Sequence, residues 1–353
     1  MLETSPRGPA RAAVLCGVGG QLPRLKVGND ELAERLGTDD AWIRTRTGIR
    51  SRHFAAPDEA TSDLAVAAGR RALANSGSAA VGAVIVATTT PDRSCPSTAP
   101  LVAARLGLTG VAAFDVGAVC SGFVYALAAG TGLITSGVTD RVLVVGADVY
   151  SRIVDPGDRQ NAVVFGDGAG AVVLRAGHAT EPGALGPFDL GSDGAHEDMV
   201  IVQAGGSRLP FDPARTSHAE RHFSMRGKEV YRHAVSRMAG SAQAVLEQAG
   251  VSVGEIDLFV PHQANLRILR TVATGLGLSF ERCATHVQEA GNTGAASIPL
   301  ALARSHVDGA LTVGDRVLLT GFGGGLTWGS CLLTWSSLPP AVEPSRPEEG
   351  VAS

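Results

Sequence analysis

The two halves of this sequence resemble each other segment by segment. DRVLVVG at 140–146 returns as DRVLLTG at 315–321, and a glycine-rich turn and another apolar stretch follow each copy. Upstream, a helical pattern at 63–76 precedes AVIVATT, just as one at 234–249 precedes DLFVPHQ. Helical patterns ending in Gly-Leu then follow both strands, and the spacing between partners is about 170 to 175 residues. The repeat predicts two units of the same topology.

Each unit alternates helices with strands that are apolar throughout. Such strands are typical of parallel or mixed sheets that are covered on both faces. We therefore predict a duplicated α/β fold with halves at 10–184 and 185–338. The Pro- and Glu-rich tail at 339–353 is expected to be disordered. The polar segment at 205–222 is expected to be a surface loop, either a plain insertion or part of an entrance lid.

Composition excludes several classes of protein. A net charge of -4 with both signs interspersed gives no reason to expect nucleic acid or an anionic membrane as a partner. The five cysteines are scattered without a zinc-binding spacing, which favours a metal-free protein of the reducing cytoplasm. The N-terminal apolar run is too short for a signal peptide, and the nearly uncharged stretch at 116–134 predicts a buried helix rather than a membrane span.

Cys120 is the candidate nucleophile. It lies in FDVGAVCSGF, where a short strand meets a glycine and then a helical run of small residues. A thiol at a helix N-terminus has a lowered pKa, because the helix dipole and free N–H groups stabilise the thiolate. The alternative is a buried free cysteine that acts as a small apolar side chain.

His262 and Asn292 are the candidate polar partners. His262 ends the apolar strand of VPHQANLR, and Asn292 lies in the glycine-flanked turn of GNTGAAS before a helix. Functional sites of α/β proteins gather at the carboxyl ends of strands. Taken singly, each residue has an ordinary alternative, a helix cap for Asn292 and a satisfied core side chain for His262. The repeat places their loops and that of Cys120 at equivalent strand ends, which favours one common site.

Six motifs in this order resemble the β-ketoacyl-ACP synthase III family of the thiolase superfamily: WIRTRTGIRSRH, FDVGAVCSGF, VVFGDGAGA, VPHQANLRI, GNTGAAS and GFGGGLTWGS. The resemblance extends from about Val14 to Trp335. It implies the thiolase fold, an α/β architecture of five α-β-α-β-α layers whose halves are related by a pseudo-twofold axis. It also implies a homodimer.

The resemblance implies a decarboxylating condensation. Cys120 would take an acyl group from acyl-CoA, and malonyl-ACP would then lose CO₂ and attack the thioester to give a 3-oxoacyl-ACP. Neutral His262 together with Asn292 would stabilise the enolate, and the N–H groups of Cys120 and Gly324 would form the oxyanion hole. CoA is a substrate carrier in this reaction, so no metal, nicotinamide or flavin cofactor is expected.

The same resemblance implies the binding residues. Trp42 and Arg159 match the positions that sandwich the CoA adenine, where stacking and cation–π attraction suit these side chains. Positions near the rest of CoA are matched by Arg46, Thr47, Gly227 and Asn265. The basic residues expected to dock the acidic ACP, or else to form a merely solvated helix face, are Lys228, Arg232, Arg267 and Arg270.

Cys95, in PDRSCPST, departs from the family, which often has a bulky aromatic there that closes the acyl pocket, sometimes from across the dimer interface. A smaller residue predicts a starter longer than acetyl, as in priming enzymes of aromatic polyketide pathways. The rival interpretations are an acyltransferase or ester-forming relative that does not decarboxylate, and a catalytically idle scaffold partner. Thiolases, chalcone-synthase-like enzymes and dinucleotide-binding proteins match these motifs less well.

Overall fold

The structure, a computed structural model, describes residues 11–340. Most of the predicted disordered tail at 339–353 therefore lies outside the described residues. The strands of the described part are β1 (Arg11–Gln21), β2 (Leu25–Gly28), β3 (Ser51–Phe54), β4 (Ala83–Ala87), β5 (Ala112–Val116), β6 (Arg141–Val149), β7 (Asp167–His178), β8 (Leu185–Ser192), β9 (Val200–Ile201), β10 (Ser224–Met225), β11 (Leu258–Pro261), β12 (Arg316–Gly323) and β13 (Thr327–Thr334). The α-helices of this part are α1 (Asn29–Leu36), α2 (Asp40–Thr47), α3 (Thr61–Asn75), α4 (Ala99–Arg105), α5 (Gly122–Thr135), α6 (Gly227–Ala249), α7 (Leu266–Leu276), α8 (Val287–Ala290) and α9 (Ser297–Val307).

The first half of the chain forms a mixed five-stranded sheet in the order β1-β7-β6-β4-β5. Strand β4 runs parallel to both β5 and β6, whereas β7 is antiparallel to β6 and to β1. The central strands are buried along nearly their whole length, which explains why their sequences are apolar rather than alternating. Strand β5 is only half-buried, and within residues 11–340 it has no strand partner on its outer edge.

The second half repeats this arrangement in a sheet with the order β8-β13-β12-β11. Strands β12 and β11 are parallel, and β13 is antiparallel to β12 and β8, just as in the first sheet. In place of a counterpart to β5, the second sheet has an isolated parallel bridge between Phe259 and Cys283. The predicted duplication is confirmed, and β8 begins at Leu185, although the division at 184/185 stays a prediction.

The two sheets lie between three layers of helices. Helices α5 and α9 pack between the sheets, because α5 contacts strands of both and α9 contacts β1, β7 and β11. Helices α3 and α4 cover the outer face of the first sheet, while α6 covers the second sheet and packs against α7. This is the predicted five-layered α-β-α-β-α architecture.

Helix α9 and the turn before it approach the first sheet closely because glycines of the sheet lie beneath them. A Cβ atom on Gly146 of β6 would lie 2.3 Å from the Ala295 carbonyl oxygen, and one on Gly170 of β7 would lie 2.6 Å from the backbone N of Leu300. Any side chain at these positions would push the Asn292 loop and α9 away from the sheet.

Two further expectations are confirmed. The uncharged stretch at 116–134 is the end of β5, a turn and the buried helix α5, and none of the helices within 11–340 is long and apolar enough to cross a membrane. The segment at 205–222 is a largely exposed, irregular loop with a single helical turn at Ala219–Arg221. It leads directly into Phe223, which is buried beside the candidate site.

Candidate active site

Cys120 lies in a strained turn between a strand and a helix. Strand β5 ends at Val116, one 3-10 turn covers Val119–Ser121, and α5 begins at Gly122. Val119 has a φ of 47°, a left-handed conformation that is unfavourable for a β-branched residue. The surrounding packing must enforce this conformation, which places the thiol at the N-terminus of α5, as the sequence predicts.

The second half of the chain supports this turn. A Cβ atom on Gly323 would lie 2.6 Å from the Cys120 backbone N, so the end of β12 passes directly against the nucleophile. Ser121 Oγ donates to Thr327 Oγ1 at 2.8 Å, and Thr327 Oγ1 donates to the Ala118 carbonyl at 3.0 Å. Gly324, the predicted oxyanion-hole residue, follows in this backbone and lines the same cavity as Cys120.

The pKa of Cys120 differs from the expectation. Burial, and after it the charge of Asp148, raise the pKa of the Cys120 thiol to about 12, while the Tyr150 hydroxyl acts in the opposite direction. The expectation of a lowered pKa is therefore wrong for the resting protein, because desolvation outweighs the stabilisation of a thiolate at the helix N-terminus.

His262 follows β11 and is held as a neutral hydrogen-bond donor. Its Nδ1 lies 2.7 Å from Ser297 Oγ, which also accepts the Gln263 N–H at 3.3 Å. We assign the serine hydrogen to Nδ1, which leaves the imidazole proton on Nε2. Burial lowers the pKa of His262 to about 3, in agreement with the neutral imidazole that the proposed role needs.

We expect His262 to remain neutral between pH 8 and pH 5. With a pKa of about 3, only about one molecule in a hundred carries the imidazolium at pH 5, because burial disfavours the charged form. The check is ¹⁵N NMR of histidine-labelled protein, with the His262 signals assigned by their loss in His262→Ala. Nitrogen shifts of His262 that titrate near 6.5, or an Nδ1–H tautomer, would contradict the assignment.

Asn292 is held so that its amide hydrogens are available. Its backbone N–H donates to the Val164 carbonyl at 2.9 Å, and its own carbonyl accepts the Gly166 N–H at 3.0 Å. The side-chain Oδ1 accepts the Gly294 N–H at 3.0 Å. With Oδ1 so engaged, the Nδ2 hydrogens are the donors that Asn292 can offer to the cavity it lines.

Asp148 ties the two halves together beneath the site, and the sequence analysis missed it. This fully buried carboxylate accepts the Thr89 N–H at 2.6 Å and the Ala295 N–H at 2.7 Å, so it fixes the turn that follows Asn292. Burial raises the pKa of Asp148 to about 7. A signal was present, since an acidic residue interrupts the apolar run VLVVGADVY at the end of β6.

Three aromatic side chains beside the nucleophile were also missed. The rings of Tyr150 and Phe165 stack at 4.5 Å between centroids, and Phe223 packs edge-on against both. The repeat could have indicated Tyr150, because it follows β6 just as Gly324 follows β12.

One cavity of about 910 Å³ connects these groups to the surface. Cys120, His262 and Asn292 line it together, as the sequence predicts. The other predicted site residues along its wall are Trp42, Arg46, Thr47, Arg159, Gly227, Lys228, Asn265, Arg267 and Gly324. A cavity of this size can hold a large organic ligand that reaches Cys120.

The outer end of the cavity carries stacked arginines. The guanidinium carbons of Arg46 and Arg159 lie 4.5 Å and 4.4 Å from the Trp42 ring centroid. The distance of 4.4 Å between the Arg159 guanidinium and the Trp42 ring leaves no room for an adenine between them. An adenine can therefore enter there only if Arg159 moves. The predicted sandwich therefore needs a rearrangement on binding.

Two of the predicted CoA residues have structural roles in the protein itself. The buried Thr47 hydroxyl donates to the Ile43 carbonyl at 2.7 Å, and Asn265 Oδ1 accepts the Ile268 N–H at 3.0 Å as the N-cap of α7. Contacts to CoA from either residue stay a prediction.

The remaining predicted residues lie at the surface. The four basic residues are exposed on the adjacent helices α6 and α7, and they are Lys228, Arg232, Arg267 and Arg270. Cys95 is exposed in the loop between β4 and α4 and does not line the cavity of its own chain. Across residues 11–340, no group of three or more His, Cys, Asp or Glu side chains is placed to hold a metal ion.

The cavity lining combines a thiol, that of Cys120, with two neutral hydrogen-bond donors, His262 and Asn292. A thiol can accept an acyl group, and neutral donors stabilise negative charge that develops on a carbonyl oxygen. The arrangement suits acyl transfer followed by a step through an enolate or a tetrahedral oxyanion.

Comparisons with known proteins agree with this geometry. Residues 114–194 match the family model 3-Oxoacyl-[acyl-carrier-protein (ACP)] synthase III, and residues 246–335 match the model of its C-terminal part. A Streptomyces coelicolor protein named Beta-ketoacyl-[acyl-carrier-protein] synthase III 3 is 55% identical over 336 residues, which is 95% of this chain and 99% of the relative.

Solved structures agree in fold over nearly the whole chain. The 3-oxoacyl-(acyl carrier protein) synthase III of Pseudomonas aeruginosa is 50% identical with a TM-score of 0.87, covering 93% of this chain and 100% of its own. The priming β-ketosynthase of the R1128 polyketide pathway is 35% identical, also with a TM-score of 0.87, covering 95% of this chain and 100% of its own. With family models, whole-length relatives and fold in agreement, the chain belongs to the 3-oxoacyl-[acyl-carrier-protein] synthase III family.

Proposed function

We propose that this enzyme condenses an acyl-CoA starter with malonyl-ACP to give 3-oxoacyl-ACP, CoA and CO₂, and so begins a fatty acid or polyketide chain in the cytoplasm. The observation that carries the proposal is the meeting of one thiol and two neutral donors in a single cavity: Cys120, His262 and Asn292. The names of its relatives print the product, a 3-oxoacyl-ACP. The driving force is the loss of CO₂.

In the first half-reaction, Cys120 attacks the carbonyl carbon of acyl-CoA. The bond between that carbon and the Cys120 sulfur forms, the bond to the CoA sulfur breaks, and the thiol proton ends on CoA. The oxyanion accepts hydrogen bonds from the backbone N–H groups of Cys120 and Gly324. The contact of Gly323 with the Cys120 backbone supports this role, because it brings the two peptide groups together.

In the second half-reaction, malonyl-ACP replaces CoA and loses CO₂. The negative charge that forms on the thioester oxygen accepts hydrogen bonds from His262 Nε2–H and Asn292 Nδ2–H. The enolate carbon then attacks the acyl carbonyl on Cys120, and the sulfur leaves as a thiolate that regains a proton. The hydrogen bonds of Ser297 to His262 and of Gly294 to Asn292 support this assignment, because they leave these two donors free.

The two thioester carriers, CoA and ACP, bind at the outer part of the cavity. Trp42, Arg46 and Arg159 offer one aromatic face and two cations to the nucleotide of CoA. The basic side chains of α6 and α7 provide the surface for an acidic ACP, and Lys228 and Arg267 stand at the cavity wall itself.

The enzyme acts as a homodimer paired through the free edge of β5. A half-buried strand with an unpaired edge favours association with a second sheet. The loop that carries Cys95 is joined to this strand, because Thr98 and Ala99 donate their N–H groups to the Asp115 carboxylate at 2.6 and 2.7 Å. An exposed Cys95 at this edge supports the idea that it reaches the acyl pocket of the partner subunit.

Cys95→Phe is expected to move the starter preference towards acetyl. A phenyl ring removes space that a thiol leaves open, so the ratio of acetyl to hexanoyl adducts should rise by about tenfold or more. Competition between acetyl-CoA and hexanoyl-CoA, resolved by intact-protein mass, measures the ratio. Cys95→Ser is the matched control of nearly unchanged size. Unchanged selectivity in Cys95→Phe would remove this residue from the acyl pocket.

The first test of the function is the mass of the intact protein after incubation with acyl-CoAs of two to eight carbons. We expect one acyl adduct, located on the tryptic peptide 106–141, whose single cysteine is Cys120. Adding malonyl-ACP should discharge the adduct as 3-oxoacyl-ACP with release of one CO₂. Discharge without CO₂ would favour an ester-forming relative, and the absence of any adduct would favour an idle scaffold.

A further inference from the structure

The hydroxyl of Tyr150 lies next to the nucleophile. Its oxygen is 3.9 Å from the Cys120 sulfur, and the tyrosine is fully buried. This O–H···S contact is long in the resting protein, and catalytic hydrogen bonds often shorten only when the reacting charge develops. The contact joins two parts of the first half, because Tyr150 follows β6 and Cys120 precedes α5.

The ring packing leaves this hydroxyl little freedom. Phe165 stacks on the Tyr150 ring with an interplanar angle of 15°, and Phe223 meets it at 83°. On another side, Gly294 comes so close that a Cβ there would lie 2.4 Å from Tyr150 Cε2. The position of the ring, and with it the direction of the hydroxyl, is therefore fixed by both halves of the chain.

A hydrogen-bond donor beside the Cys120 sulfur can stabilise the thiolate. The groups on neighbouring elements that bear on the Cys120 sulfur are Asp148 in β6, whose charge acts on the thiol, Tyr150, and His262 after β11, which lines the same cavity. Asp148 repels a thiolate when it is ionised, and His262 is neutral, so neither provides a positive charge. A thiolate here depends on the N-terminus of α5 and on neutral donors.

Tyr150 remains such a donor at every working pH. Burial, together with the neighbouring Cys120 and Asp148, raises the pKa of Tyr150 well above its ordinary value. Thr89 lies beside this hydroxyl and acts on the pKa of Tyr150 in the opposite direction, with a smaller effect than burial.

We propose that Tyr150 is a catalytic residue of the first half-reaction, in which its O–H donates to the Cys120 sulfur and stabilises the thiolate that attacks the acyl thioester. The assignment rests on the proposed function for the identity of the electrophile. Tyr150 keeps its proton throughout: the thiol proton ends on the CoA sulfur, the acyl–Sγ bond forms and the acyl–CoA bond breaks.

Tyr150→Phe tests the proposal, because it removes the hydroxyl and keeps the stacked ring. Alkylation of Cys120 by iodoacetamide, followed on the peptide 106–141, is expected to slow about tenfold at each pH between 7 and 9, since a hydrogen bond to a charged sulfur is lost. Acylation by acyl-CoA in rapid-quench experiments should slow by a similar factor. Release of CO₂ from malonyl-ACP on protein that is already acylated should be unchanged, because the sulfur takes no part in that step.

Tyr125→Phe is the matched control. Tyr125 lies on α5, and its hydroxyl donates to the Gly191 carbonyl at 2.8 Å, away from the cavity lining. This variant should keep the wild-type rates of alkylation and acylation. A measurement on the wild type needs no variant at all: the ¹³Cζ resonance of Tyr150 in tyrosine-labelled protein should shift when Cys120 is alkylated, because the hydroxyl loses its acceptor.

Each outcome decides the proposal. Equal alkylation rates in Tyr150→Phe and the wild type would overturn it, as would a ¹³Cζ resonance that ignores alkylation. Equal slowing of acylation and of CO₂ release from malonyl-ACP would assign Tyr150 a packing role and overturn it as well. A wild-type protein that takes no acyl group from any acyl-CoA would refute the proposed function instead, while the alkylation rates would still decide the role of the hydroxyl.

Discussion

Cys120→Ala should lose the acyl adduct entirely and slow the condensation by at least about 10⁴-fold, the scale seen when a catalytic nucleophile is removed. Decarboxylation of malonyl-ACP should persist, because the donors that stabilise the enolate, His262 and Asn292, are held by contacts that do not include the thiol. The variant thus separates the two half-reactions.

The measurements are intact-protein mass with acyl-CoA and release of ¹⁴CO₂ from labelled malonyl-ACP. Cys283→Ala is the control, since Cys283 is also a buried thiol with a pKa that burial raises to about 12, but it lies outside the cavity lining. It should keep both activities. An adduct that persists in Cys120→Ala would move the nucleophile elsewhere, and the family assignment would then stand without this mechanism.

His262→Ala should have the opposite pattern. The acyl adduct on Cys120 still forms, whereas decarboxylation and condensation fall by about 10² to 10³-fold, as when one donor to a developing oxyanion is removed. The acyl-enzyme therefore accumulates in the presence of malonyl-ACP. Rapid-quench mass spectrometry and CO₂ release follow the two steps separately.

His306→Ala is the control for removing a histidine. The His306 Nε2 bonds the Pro339 carbonyl at 2.8 Å at the surface, so its loss should leave both steps at wild-type rates. Thermal denaturation of both variants shows whether the buried site of His262 tolerates alanine. If His262→Ala formed no acyl-enzyme while remaining folded, His262 would belong to the first step, and the assignment of its Nε2–H to the enolate would be wrong.

Much of the fold was predictable because the two halves of the sequence repeat the same pattern of strands and helices. The pair DRVLVVG and DRVLLTG identified β6 and β12, which occupy equivalent places in the two sheets. The absence of a full counterpart to β5 was not predictable. The chain around Cys283 keeps only one bridge to Phe259, and a short apolar segment does not indicate whether it pairs as a strand.

The site was predictable for Cys120 and His262, because each has a reactive side chain and follows the end of a predicted strand. Asp148 and Tyr150 were missed because their roles arise from contacts with residues distant in the sequence, Ala295 and Cys120, which local sequence does not display. The raised pKa of Cys120 was missed for the same reason. A helix N-terminus is visible in a sequence, whereas the degree of desolvation depends on everything packed around the sulfur.

The contacts between β12 and the turn of Cys120 determine when the active site can form during synthesis of the chain. Gly323 and Thr327, which press against this turn and tie it, leave the ribosome long after Cys120 does. Until they arrive, the turn lacks the contacts of β12, and Gly324, which lines the cavity together with Cys120, is missing as well. The site that is to accept the acyl group is therefore complete only once β12 and the residues after it have been made.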